Sequence, residues 1–209
     1  MIQLTPLLGN TVSEVPGLLN PYTPPLEGKC YNTFLIEKDG IRYLVKILKR
    51  KAANNQLLTK LTFEKHQREH QLVSQIFEGT NFILTTIYFE LEYLNEIEYA
   101  NIQPFIHNAL NQYKLILRGS ELRTLPINVL QGIIANRALF MDRIKHLLAK
   151  IKPNLIDLDF FIIDQDPWIL VFDTTEFWPE KREGKDQMQI ESDLEDFFNK
   201  VQSILGSHN

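Results

Sequence analysis

The sequence predicts an α+β domain, and three observations carry that prediction. Two runs of β-forming residues, Tyr31 to Glu37 and Ile41 to Leu48, flank Lys38-Asp39-Gly40, and Asp-Gly between such runs marks a tight hairpin because its turn needs positive φ. A long amphipathic pattern opens at Pro126 and closes at Pro153, with proline in the first turn as helices often have it. Two short apolar runs, 160–163 and 168–172, follow and lead to a last amphipathic stretch.

A chain of 209 residues can bury a substantial core as one domain, or as two lobes sharing a cleft. The net charge of -4 and pI near 5.8 argue against a general nucleic-acid binder, which carries a basic excess to neutralise phosphates. No run approaches the roughly 18 to 20 apolar residues of a membrane span. Met1 to Leu8 lacks the basic start and apolar centre of a secretory signal. Cys30 is the only cysteine, so no internal disulfide forms and a reducing, cytoplasmic setting is expected. Export by a non-classical route is compatible with the same features.

Five of the ten prolines precede residue 26. Proline fixes φ and removes a donor, so residues 1–26 are expected to form an extended arm on the domain. In the second strand of the hairpin Ile41, Tyr43, Val45 and Ile47 share one face, and Arg42, Leu44, Lys46 and Leu48 the other. Residues 56–77 read as a helix with a stripe of Leu58, Leu61, Leu72 and Ile76, and Glu69 falls within it. Residues 82–94 read as strand, 95–111 as a weak helix through Ile102, Phe105, Ile106 and Leu110, and 113–117 as a short strand. The helix from Pro126 presents Leu130, Ile134, Met141, Ile144, Leu148 and Ile151. The turn-like Asp164-Gln165-Asp166-Pro167 joins the next two strands. A polar loop, 179–187, precedes a helix with a capping box at Ser192 and Glu195 and a stripe of Leu194, Phe197, Val201 and Ile204.

Hairpin, helix, strands, long helix, hairpin and closing helix is an order that resembles the protein-kinase-like fold. Val45 to Leu48 (VKIL) looks like the kinase third strand. Arg68 to Ile76 resembles the αC helix, a glutamate followed by apolar Leu72, Val73 and Ile76. Tyr113 to Leu122 resembles the fifth strand and hinge. Pro126 to Asp173 resembles the αE helix, catalytic loop and metal-binding strand pair, ending in VFDTT. The resemblance covers residues 27–205 and is closest to minimal kinases of the RIO or small bacterial type. It implies a bilobal α+β fold, with an antiparallel N-lobe sheet over about 27–117 and a reduced helical C-lobe over about 118–209. It further implies ATP and Mg2+ as ligands and a protein as substrate or partner. In that pattern Lys46 grips the nucleotide phosphates, Glu69 fixes the lysine, and Asp173 holds magnesium.

The chain departs from the pattern in three places. Only Gly28 stands where kinases place a glycine-rich loop over the phosphates. If Ile162 and Ile163 match the strand after the catalytic loop, Phe161 replaces the expected asparagine and Ile156 the aspartate. A one-residue deletion puts Asp157 in the base position instead, and Asp159 is a further candidate. Thr174 and Thr175 replace Phe-Gly. The resemblance therefore implies weak phosphotransfer, or else a pseudokinase that binds nucleotide or protein without catalysis.

One motif competes. His66, Glu69 and His70 spell HxxEH, the inverted zinc-peptidase motif, in which two imidazoles on one helix face bind zinc and the glutamate is the general base. Gln67 and Arg68 stand where those peptidases carry apolar residues, and Glu121 is the only third ligand to propose. The plain alternative is that both histidines face solvent. Trp168 and Trp178 are expected to pack in the core or against the arm rather than to bind ligand, and the acidic loop 180–186, like the arm, is a candidate contact surface.

Overall fold

The computed structural model describes residues 11–20, 25–27, 30–50, 56–106, 109–113, 122–150, 160–171 and 187–207. They form two compact units. One holds residues 2–68 and 84–107, and the other holds 69–83 and 108–209. Both are α+β, and both sheets are antiparallel.

The first unit is built on five strands: β1 (Leu26–Glu27), β2 (Tyr31–Lys38), β3 (Ile41–Leu48), β4 (Ile87–Tyr93) and β5 (Glu96–Pro104). They lie in the order β1-β2-β3-β5-β4. The β2–β3 turn is the one expected, with Lys38 opposite Ile41 and both Asp39 (φ 53°) and Gly40 (φ 75°) left-handed. Tyr43, Val45 and Ile47 are buried on one face of β3, together with Phe34 and Ile36 of β2 and Ala100 and Ile102 of β5.

Val15 and Leu19 pack in the same cluster, so residues 11–20 of the proline-rich arm lie on the sheet. The arm is not wholly extended, however. Val15–Leu18 form a short helix, α1, with Pro16 in its first turn, where the missing N–H has no helical partner to lose.

The region 95–111 does not form the expected weak helix. Leu94 (φ 53°) and Asn95 (φ 63°) make a second two-residue turn, and Glu96–Pro104 return as β5 between β3 and β4. Its alternation of Ala100 and Ile102 against Tyr99, Asn101 and Gln103 is a strand period. Residues 109–111 belong to strand β6 (Ala109–Tyr113). The strand expected at 113–117 lies, beyond Tyr113, outside the described residues.

Helix α2 (Gln56–Ile76) forms where expected, and the second half of its stripe holds, with Ile76 buried and Leu72 packed on the core, but the first half turns a different side inward. Leu58 and Leu61 are exposed, whereas Thr59, Phe63, His66, His70 and Val73 are buried. Their spacing of four, three, four and three is itself a helical stripe, roughly a third of a turn from the leucines at about 100° per residue. In the first unit Phe63 supplies the contact, its ring 5.1 Å from that of Tyr99 and 5.7 Å from that of Tyr88. An aromatic ring buries more apolar area than a leucine and sets the rotation of the helix.

The second unit centres on α3 (Ile127–Lys150) and α4 (Gln187–Ser207), with the sheet β6-β7-β8. Strands β7 (Phe160–Ile163) and β8 (Ile169–Val171) are the expected apolar pair. Leu130, Met141, Ile144 and Leu148 of α3 are buried as the stripe requires, and Ile134 packs against the same core. Phe140 joins them, although the stripe did not include it. Gly132 is required by its neighbour: a Cβ there would stand 2.3 Å from the Trp168 ring. Trp168 thus packs on the core, as expected. Asn136 Nδ2 donates to the Pro167 carbonyl at 3.2 Å, tying the β7–β8 turn to α3.

Ser192 does not cap α4. The helix begins at Gln187, five residues earlier, and Ser192 is an exposed interior residue. Ile190 extends the buried stripe Leu194, Phe197, Val201 and Ile204 backwards by one turn, and that burial outweighs a local cap signal. Glu195, the other half of the expected box, pairs instead with Arg137 of α3, whose guanidinium also lies 5.7 Å from the Phe198 ring centre. Among the described residues no helix is long and apolar enough to cross a membrane.

Candidate functional site

Strand alternation places Lys46 on the face of β3 opposite Tyr43, Val45 and Ile47. Cross-strand register sets Thr33 of β2 beside it, Asn101 of β5 on its other side, and Tyr88 of β4 beyond Asn101. A row of hydrogen-bonding side chains therefore runs across four strands, while the opposite face at the same level is apolar. Lys46 is half-buried, and Asn101 and Gln103 are each only 3 % exposed. The next row along the sheet, Tyr31, Leu48 and Tyr99, is where Phe63 packs.

This arrangement suits an anion held at an edge of low dielectric. On its own face of β3 Lys46 stands between apolar Leu44 and Leu48, and across the sheet between Thr33 and Asn101. A cation so placed neutralises phosphate charge more effectively than one in open water.

Glu69 belongs to the other unit. It is half-buried, with Oε2 shielded from solvent. Gly28, Asp157, Asp159 and Asp173 lie outside the described residues, as do Phe172, Thr174, Thr175 and Trp178.

The histidines of the competing motif do not face solvent: His66 is 6 % and His70 7 % exposed. Tyr31 Oη and His66 Nδ1 share a hydrogen bond, and His70 Nε2 stands 3.3 Å from Ser74 Oγ. Each imidazole thus uses a ring nitrogen locally, as a buried histidine must to satisfy its polar atoms. Among the described residues no group of three or more His, Cys, Asp or Glu side chains could hold a metal ion, and Glu121 lies outside them. Protein purified without added metal is expected to show no stoichiometric zinc by elemental analysis; one zinc per chain would restore the peptidase reading.

A cavity of about 440 Å³ opens on the sheet unit but includes none of the predicted residues. Its wall includes Phe34, Ile47, Tyr93, Arg50 and Glu98. Arg50 bridges Glu96 and Glu98, the latter at 3.0 Å. Burial holds the Glu98 carboxyl above the usual carboxylate range, and the charge of Arg50 pulls it only partly back.

A helical reading of 95–111 does not place Asn101 and Gln103 beside Lys46 and Leu44, where the sheet register puts them. The signal was there: polar residues alternating with Ala100 and Ile102 place two amides on the Lys46 face of a strand. No protein-family model and no curated protein sequence matches this chain.

Proposed function

We propose that this chain is an atypical kinase-like protein with two lobes, binding Mg-ATP and transferring phosphate slowly to a hydroxyl of a protein substrate. The observation that carries the reading is Lys46: half-buried in the middle strand of an antiparallel sheet, in a polar row. Helix α2 follows β3 and precedes β4 and β5, which supports the reading, although the fifth strand is Glu96–Pro104 and not the stretch from Tyr113 that the resemblance proposed.

In this reading Lys46 neutralises the α- and β-phosphates and Glu69 positions the lysine. Asp173 would hold magnesium, which would supply charge neutralisation at the phosphates. Asp157 orients the accepting hydroxyl, and Gly28 lets backbone approach the phosphates. The replaced loop residues Phe161, Thr174 and Thr175 make transfer slow, because catalysis here rests on positioning and charge neutralisation. If transfer is absent while nucleotide binds, the same residues describe a pseudokinase.

A ligand that binds only the folded state stabilises it by mass action, by about 2.7 kcal/mol at a hundred times its Kd. Mg-ATP at millimolar concentration is therefore expected to raise the melting temperature by several degrees. Lys46→Met should shrink that shift, and Asp173→Asn should remove its dependence on magnesium. A melting temperature unmoved by Mg-ATP would leave only a protein-interaction module.

A further inference from the structure

We infer that Asn101 is a specificity-determining residue for the ligand at Lys46, accepting a hydrogen bond from an O–H or N–H group carried close to the ligand's anionic part. The inference rests on the reading of Lys46 as a phosphate contact.

Three observations on the sheet unit support it. Asn101 lies in β5 between two other strands, directly opposite Lys46 on one side and Tyr88 on the other. It is 3 % exposed, and its Oδ1 is buried without a hydrogen-bond partner among the described residues. Its neighbours along the strand, Ala100 and Ile102, are at 1 % and 0 % and belong to the apolar core on the opposite face. A central-strand position buried to this degree ordinarily holds an apolar residue. An amide there leaves an acceptor stripped of water, which a native fold carries only where something else uses it.

The geometry also limits what uses it. Side chains directly opposite on antiparallel strands have Cβ atoms about 4.5–5.5 Å apart. One small molecule can therefore meet the Lys46 ammonium with an anionic group and the Asn101 oxygen with a donor a few atoms away. A phosphate ester bearing a hydroxyl or amine has that chemistry, and a nucleoside polyphosphate is one such compound. Inorganic polyphosphate supplies the charge without the donor. Asn101 would thus separate the two, because an acceptor built for a donor penalises ligands that lack one.

The test measures binding by thermal shift for the full chain with two probes, Mg-ATP and magnesium tripolyphosphate. Asn101→Leu substitutes an apolar residue of similar branching, and Asn101→Val is the fallback if the leucine variant does not fold. The ligand-free variant should melt about 2–4 °C higher, since an orphaned buried acceptor has been removed. Its Mg-ATP affinity should fall about tenfold, the loss of one hydrogen bond from a buried site. Tripolyphosphate should bind as it does to the natural chain. Lys46→Met should weaken both probes. If Lys46→Met weakens Mg-ATP while Asn101→Leu leaves it within about twofold, the nucleotide reading stands and the role of Asn101 falls. An Asn101→Leu variant that melts lower and loses both probes equally marks the amide as structural and overturns the inference. If neither probe shifts the natural chain, the nucleotide reading fails and takes this inference with it.

Discussion

Phe140→Ala is expected to destabilise the second unit by about 3–5 kcal/mol, the cost typical of emptying a buried phenylalanine site. Phe140 has no exposed surface. Its ring centre lies 5.3 Å from that of Phe82, 6.1 Å from Phe160, 6.3 Å from Phe198 and 6.4 Å from Phe77. Those four rings come from the segment after α2, from β7 and from α4, so one side chain holds three parts of the unit. Truncation removes the transfer energy of the ring and its edge-to-face contacts, and rigid aromatic walls collapse poorly into the space left. Urea unfolding should show a lower midpoint with an unchanged slope. Leu139→Ala, at a neighbouring site that is 45 % exposed, should change stability by less than about 1 kcal/mol. Equal losses at the two positions would contradict the core described above.

The two positions also show what the sequence could reveal. Along α3 the apolar period was plain, and the buried stripe follows it. Phe140 sits beside that stripe rather than on it, because a helix enclosed by β7 and α4 buries more than one narrow line of residues. The β2–β3 hairpin was legible because Asp39-Gly40 fits a left-handed turn. The β4–β5 hairpin was not, because Leu94 is a residue that rarely adopts positive φ. Without that turn β5 has no partner strand in the sequence, and the face on which Asn101 and Gln103 lie is undefined. On α2 Leu58 and Leu61 are exposed, whereas His66 and His70 are buried along with Phe63 and Val73. Hydrophobic patterning ranks histidine as polar and cannot foresee a ring satisfied by Tyr31 or Ser74. Lys46 was legible for a simple reason: strand alternation assigns a face without knowing the partner strands. Which polar groups share that face is decided by register, and register is a tertiary property.

Incubation with labelled ATP and a lysate or generic protein substrate is expected to give slow transfer that both Asp157→Ala and Asp173→Asn remove. Loss of a positioned general base lowers rate by about 10²–10⁴-fold. Loss of a group that stabilises developing charge costs about 10²–10³-fold. Either reduction should take an already slow reaction below detection. Long incubations are needed, because Phe161, Thr174 and Thr175 replace residues that would complete the loop. Transfer lost only with Asp173→Asn would describe a metal-dependent enzyme whose base is not Asp157, and Asp159→Ala would then be the next variant. Transfer insensitive to both substitutions would come from a contaminant or from a site elsewhere in the chain. Purification separates the last two cases: only a site elsewhere in the chain keeps a fixed rate per mole of chain through successive steps, whereas a contaminant is lost. Binding of Mg-ATP without any transfer would leave Lys46 as a nucleotide contact and make the chain a pseudokinase, since phosphate neutralisation alone does not orient a hydroxyl for attack.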